Sequence, residues 1–444
     1  MLMVAFVLVL SACTGSSSET STTLPPSTVS PTSTQPPDSA VDSSVPATDT
    51  PPGSSVPTDI AAALSAQIED LIGVTEELRG LDFLEQPEVA ILDKDSLAAR
   101  IREDLADELD PAELAIETML WTMFGGLEPG ADLNQLLEDL LAEQVVGFYD
   151  GDTGELVVSG DGEELSPLSK SIVVHELTHA LGDQHFGFHD EFQALVDEDR
   201  FDEASALQAL IEGEASYVEL LYITERLDAG ELSSLFAEIG EVETGVFDDS
   251  PPFLTEELIF PYDDGFVFAS HLIREGGLAA INAAYEAPPL STEHIIHPER
   301  FDEGEEVDPV GLPTLSLPGY EIYEESTFGE LGIRMLFVKQ SGLATQLADG
   351  WGGDAYIVYW DEDDVVFTFA FQGDSERDTE ELANALADLA AVDMGGGDPI
   401  LQDGGRTVFE TEDLYVEITL SGIGMTWLAS TDPVAGALAA ETIG

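Results

Sequence analysis

The chain has 444 residues, enough for two or three domains, and carries 13 Lys+Arg against 90 Asp+Glu, a formal net charge of -77. A surface this acidic repels nucleic acid and anionic membrane and matches the strongly solvated surfaces of proteins that work in high salt. It does not mark disorder, because 43% of residues are hydrophobic and fall in periodic segments.

The chain opens on "MLMVAFVLVLSAC", an apolar run too short to span a bilayer, which needs about 20 apolar residues. Leu10-Ser11-Ala12-Cys13 resembles the bacterial lipobox, in which the signal is cut before a cysteine that is then lipidated. No Lys or Arg precedes the run, where a signal normally carries a basic stretch. Cys13 is the single cysteine, so no internal disulfide can form. This reading makes residues 1–13 a signal and the protein exported, at the cell surface, lipid-anchored to the outer face of the cytoplasmic membrane. Residues 14–58 are Ser-, Thr- and Pro-rich and read as an extended tether.

Helical spacing begins near Asp59 and continues through "DSLAARIREDLADELD" and "PAELAIETMLWTMFGG", with Asp95 or Ser96 as a cap and Pro111 in a first turn. The period then changes. Val145 to Tyr149 and Glu155 to Ser159 are β-type runs around "DGDTG", which predicts a hairpin. "DGDTGE" is not a calcium loop: a Gly stands where the third oxygen ligand belongs, and no glutamate follows at the required distance. The next helix is "LSPLSKSIVVHELTHALGDQ", with Ser166 as N-cap and Pro167 at its first position. After a polar stretch, in which His189 reads as a loop residue, "EASALQALIEGEASYVELLYITERL" predicts a long helix. "YDDGFVFASHLIREGGLAAINAAY" reads as two helices broken at Gly-Gly. Past residue 350, "DAYIVYW", "VVFTFAF", "RTVFE", "LYVEITL" and "GMTWLAS" are strand-like and surround the helix "TEELANALADLAA". The expected fold class is α+β, with a zincin-like domain over 59–315 and a small C-terminal α+β module over 316–444.

The chemistry concentrates in "HELTH". Residues four apart on a helix lie about 40° apart around its axis, so His175 and His179 face the same way and converge on one ion. Zinc suits two imidazoles, a further protein ligand and a water. Glu176 beside them can take the water's proton and pass it to a leaving amine. The alternative, a buried helix with merely hydrogen-bonded histidines, needs no such spacing. The third ligand is open at this point. "HELTHALGDQH" fits the metzincin spacing, with His185 as ligand if Gly182 stops the helix, but the nearest downstream methionine, Met335, sits in "GIRMLF", which reads as helix or core. The rivals lie in "LIEGEASYV": Glu212, flanked by small residues, and Glu214, which periodicity places on the apolar face.

The chain resembles gluzincin-type, peptidase-MA-like metallopeptidases. The likeness rests on His175 to Ala180, on Glu212-Gly213-Glu214-Ala215, and on Tyr262, Gly265 and Phe268, and covers roughly residues 140–290. It also extends to secreted lipoproteins with a "HALQDQHF" segment, from which Gly182 departs. The resemblance implies Zn2+ as cofactor, Glu212 as third ligand beside His175 and His179, Glu176 as general base, and a peptide or protein as substrate. His297 before Pro298, or Tyr262, is a candidate oxyanion donor; His294 is another, and His271 reads as a core or interface histidine. The alternative of another class is a non-catalytic surface-binding or assembly lipoprotein on the same scaffold.

Overall fold

The computed structural model describes residues 56–443 except 145–146, 161, 242–244 and 341. Cys13 and nearly all of the 14–58 tether lie outside the described residues, as does Val145 at the start of the hairpin reading. The first half is helical: α1 (Thr58–Arg79), then β1 (Glu88–Leu92), α2 (Lys94–Glu108), α3 (Pro111–Met123) and α4 (Leu133–Gln144). The hairpin follows as β2 (Gly147–Asp150) and β3 (Glu155–Ser159), and leads into α5 (Pro167–Phe186), which carries the HELTH segment. Next come α6 (Phe188–Asp197), α7 (Phe201–Arg226), α8 (Ala229–Ile239), α9 (Gly245–Asp249), α10 (Pro252–Gly276), α11 (Leu278–Glu286), α12 (Thr292–Ile296) and α13 (Pro298–Glu303).

The C-terminal part is built on a sheet. Its elements are β4 (Glu321–Ser326), α14 (Gly329–Phe337), α15 (Leu343–Ala348), β5 (Trp351–Trp360), β6 (Val365–Gly373), α16 (Glu376–Val392), β7 (Leu401–Asp403), β8 (Arg406–Glu410), β9 (Tyr415–Ser421), β10 (Gly424–Ser430) and α17 (Pro433–Ile443). The seven strands run antiparallel in the order β4-β5-β6-β10-β9-β8-β7. The protein is thus a mixed helix-and-sheet, α+β structure. Each strand-like run past residue 350 is a strand; β4, before it, went unread because "EIYEES" is too polar to show a buried face.

Two local readings need correction. The cap of α2 is Asp93, whose carboxylate accepts the Ser96 N–H at 2.8 Å, rather than Asp95 or Ser96. His189 is not in a loop: it is buried in α6, with Nε2 3.0 Å from Asp152 Oδ1 in the hairpin turn. Its ring covers Gly151, where an added Cβ would meet Nδ1 at 2.5 Å.

The small sheet has the order β1-β3-β2, with β1 parallel and β2 antiparallel to β3. Side chains alternate across β3. Leu156 and Val158 pack with α1 and α5, including Leu64, Ile68 and Val174, while Val157 packs with the α2–α4 helices on the other face. Covered on both sides, this sheet is a rigid wall against which α5 is set. One core runs from α2–α4 into the large sheet: the Phe124 ring lies 5.2 Å from both Phe367 and Trp427. The opposite face of the large sheet, with Ile357, Tyr359 and Val366, is closed by α17 through Ala435 and Ala439.

Candidate metal centre

α5 begins as its sequence dictates, with the Ser166 hydroxyl accepting the Ser169 N–H at 3.1 Å and Pro167 at the first position. It then runs unbroken through Gly182 to Phe186. Gly182 therefore does not stop the helix. Its missing side chain answers to packing, since an added Cβ would stand 2.9 Å from the Phe188 ring and 3.7 Å from Glu214 Oε2. His185 consequently turns away, its Nε2 2.9 Å from the Asp82 carbonyl oxygen, and does not join the other two histidines.

His175, His179 and Glu212 do come together. Their ligand atoms all lie within 4.8 Å of one another, and all three residues are buried; among the described residues they form the one such group of histidines and carboxylates. Glu212 Oε2 is 3.0 Å from His175 Nε2 and 3.4 Å from His179 Nε2. The imidazole rings stand nearly perpendicular, with centroids 4.7 Å apart. On its other side His175 offers Nδ1 to Glu219 Oε2 at 3.5 Å. That donation leaves Nε2 as the ligating nitrogen. Glu219 lies two helical turns after Glu212 on the same face of α7.

The charges are tightly coupled. Burial opposes charge on His175, but Glu212 and Glu219 outweigh it and hold the imidazole pKa well above its usual value. Burial also pushes Glu212 up, and His179 and His175 beside it reverse this, bringing it down to about 2. Glu176 is raised, chiefly by desolvation. Its Oε2 accepts the Tyr149 N–H at 3.0 Å, so the hairpin fixes the carboxylate that follows the first histidine. Tyr149 is itself held by its hydroxyl, which donates to Asp183 at 3.1 Å.

Glu212 and Glu214 are both buried, and they serve different partners. Glu214 forms an ion pair with the buried Arg79 of α1 and accepts the Tyr285 hydroxyl at 2.6 Å. Arg79 also donates to Asn282 at 2.6 Å and lies over the Phe186 ring. Sequence reasoning missed both Glu219 and Arg79. An arginine closing an amphipathic helix carries no mark of burial, and Glu219 differs from its exposed neighbours only in spacing.

The small residues beside Glu212 set a close helix contact. Gly213 meets α10, not α5: an added Cβ would stand 2.0 Å from the Gly265 carbonyl oxygen, and one on Gly265 would stand 2.1 Å from that of Ala209. This backbone contact brings Tyr262, one turn before Gly265, beside the site, with its ring 6.2 Å from that of His175. His297 is not there. Its Nε2 lies 3.1 Å from Glu330 Oε1, on the α14 side of the molecule. His294 is buried, its ring between the Leu290 N–H and the Glu305 carbonyl. His271 pairs at the surface with Asp302 at 2.7 Å.

Residues 320–437 match a family described as a domain of unknown function, DUF8575. The match covers the large sheet and contains none of the clustered residues. No curated protein and no solved structure matches the chain.

Proposed function

We propose that the protein is a zinc-dependent endopeptidase of the gluzincin type, exported and tethered to the membrane through lipidated Cys13. The observation that carries this reading is the convergence of His175, His179 and Glu212, with Glu176 held next to them by the Tyr149 N–H. The donor set fits zinc: two imidazole nitrogens and one carboxylate, buried, with a further carboxylate orienting the first histidine. Three carboxylates around two imidazoles also leave excess negative charge, which a dication offsets. When bound, zinc supplies a Lewis acid and lowers the pKa of water in the site toward neutrality.

The chain's own residues divide the remaining work. Glu176, with its raised pKa, takes a proton from water and returns it to the departing amine nitrogen as the C–N bond breaks. Tyr262, whose ring lies 6.2 Å from that of His175, is the candidate donor to the oxyanion that develops on the carbonyl. Glu219 holds His175 in its ligating orientation. The substrate is a peptide or protein, and the acidic surface disfavours nucleic acid.

Glu176→Gln tests this directly. The variant should retain about one zinc per chain by metal analysis and lose cleavage of casein by at least about 100-fold. Undiminished cleavage would remove the assignment. Zinc retention in the wild type without turnover of any peptide would leave a binding protein on this scaffold.

A further inference from the structure

Asp183 follows Glu176 by seven residues on α5. Nearly two turns of helix bring it round to within about 20° of Glu176, about 10.5 Å further along the same face. Between the two stands Ala180, and the buried Tyr149 ring packs on it. One residue of β2 is thus gripped at two points by one helix face. Glu176 Oε2 accepts the Tyr149 N–H at 3.0 Å, and Asp183 Oδ2 accepts its hydroxyl at 3.1 Å. A single backbone hydrogen bond would leave a short strand free to slide along the helix. Bonds at both ends of a rigid aromatic side chain fix register and distance together.

The second oxygen of Asp183 closes a circuit. Oδ1 accepts the His189 N–H at 3.0 Å in the first turn of α6, where backbone donors have no partner within the helix. The His189 ring crosses to the hairpin, with Nε2 3.0 Å from Asp152 Oδ1, and covers Gly151. Gly151 and Asp152 directly follow β2. The path from Tyr149 through Asp183, His189 and Asp152 therefore returns to the strand it left. Its links come from α5, α6 and the hairpin turn, so a shift of β2 along α5 breaks more than one of them.

We propose that Asp183 is a positioning residue for the general base: through Tyr149 it sets β2 on α5 and so aims the Glu176 carboxylate at the water. This role rests on the peptidase reading and deepens it. Asp183 acts through Tyr149 and is not itself a catalytic residue. A misplacement of about 1 Å at a reacting group costs on the order of 100-fold in rate, so loosening the clamp without removing Glu176 should cost about 10-fold. The hydroxyl carries the link, because the ring stays packed on Ala180 without it.

Two substitutions test this in the full zinc-loaded chain. Tyr149→Phe keeps the backbone donor and the ring and removes only the bond to Asp183. Asp183→Asn leaves one acceptor oxygen for two donors. Each should lower kcat for peptide cleavage about 10-fold, with KM and zinc content changed less than about twofold. In a Glu176→Gln background, Tyr149→Phe should change the residual rate less than about twofold, because no general base is left to aim. A purely structural role would lower the melting temperature and leave kcat per folded chain unmoved. A second measurement needs no activity: hydrogen exchange at the backbone amide of position 149, followed by proton–nitrogen NMR. It should quicken at least about 10-fold in Asp183→Asn, with the amides of β3 unchanged. Should Asp183→Asn not fold, Tyr149→Phe carries both measurements. An unchanged kcat would overturn the proposal, as would an equal loss in the Glu176→Gln background or an unmoved exchange rate. If the wild type cleaves no peptide, or Glu176→Gln cleaves as well as wild type, the peptidase reading fails and this role with it, while the exchange rate still reports whether the clamp exists.

Discussion

Around the α5–α7 contact the buried side chains include His175, His179, Glu212, Glu214 and Arg79, whereas the inner face of the large sheet is mostly aromatic. There Tyr356, Phe367, Phe369, Phe371 and Trp427 pack ring against ring, Phe367 and Trp427 with centroids 5.2 Å apart. Both regions belong to one continuous structure, but they are held by opposite means. An aromatic ring gains from burial in many orientations. A buried charge gains only when a specific partner meets it, and it costs several kcal/mol when that partner is absent. Substitutions at single charges should therefore be disproportionately damaging in the helical region, and each of the following sharpens or breaks that contrast.

The largest effect is expected at the metal centre. Glu212→Ala should lower zinc affinity by three orders of magnitude or more, while His185→Ala, which removes only a contact to the Asp82 carbonyl, should change it less than about threefold. Competition with a chromophoric chelator measures both. The reverse order would restore the reading in which His185 is the ligand.

Next is the ion pair behind the site. Arg79→Met leaves Glu214 buried with only the Tyr285 hydroxyl and should cost about 3–5 kcal/mol in urea unfolding. That is as much as removing a whole ring in the sheet with Phe367→Ala. Adding Glu214→Leu to Arg79→Met should recover most of the loss, because both charges are then gone. If the double variant is no more stable than the single one, the pair is not what holds α1 against α7.

The same contrast explains what the sequence disclosed. Strands β5, β6, β9 and β10 were legible because short runs rich in β-branched and aromatic residues stand between turn-formers, and the hairpin because turn-formers separate two β-type runs. The HELTH helix was legible from its cap through both histidines, because its chemistry is written in four-residue spacing on a single helix, but not to its end. The choice between Glu212 and Glu214 was not. From Ala204 to Ala215 nearly every residue of α7 is buried, so the helix has no solvent face in that stretch and periodicity cannot rank the two glutamates. Their roles come from what packs on each side, α5 for one and α1 with α11 for the other. Gly182 misled for a similar reason: a glycine demanded by Phe188 looks the same in sequence as one demanded by a helix end. The parallel pairing of β1 with β3 was equally hidden, being a contact between segments more than sixty residues apart.

A smaller effect is expected at Asp202, with a definite pH dependence. Burial raises its pKa to about 7, well above the usual carboxylate value near 4. Between those two values the folded chain holds a proton that the unfolded chain has lost. Stability from this group is thus full below about pH 4, falls as pH rises, and is lost above about pH 7. Asp202→Asn, whose side-chain oxygen can still accept from Thr292, should flatten that slope. It should stabilise the protein by about 2 kcal/mol at pH 8 and by little at pH 4, read from urea midpoints at the two pH values. Equal effects at both would mean that the carboxylate stays ionised in the fold.

A change of similar size, and the most discriminating one for the site, is expected at Glu219. Its carboxylate touches no ligand atom of the cluster; it meets His175 Nδ1 at 3.5 Å and also accepts from the Ser171 hydroxyl. If that contact merely fills space, Glu219→Gln is neutral, since the amide has nearly the same shape and its oxygen still accepts the Nδ1–H. If the negative charge is what makes Nε2 a better donor and fixes the ring, the substitution should weaken zinc about 10–100-fold, or roughly 1.4–2.7 kcal/mol. The charge-based account also fixes the sign of a second readout. Burial disfavours the ionised Glu219 carboxylate, yet its contact with His175 holds its pKa below the usual value, so His175 in turn gains positive-charge stabilisation from it. Removing that charge must lower the His175 pKa in the zinc-free protein, visible as a downfield-to-upfield titration at lower pH by proton NMR. Glu219→Asp, which keeps the charge on a shorter arm, should recover part of the affinity and part of the shift. A neutral glutamine variant with an unmoved imidazole titration would reduce Glu219 to packing, and the helical region would then depend on paired charges only at Arg79 and the metal centre.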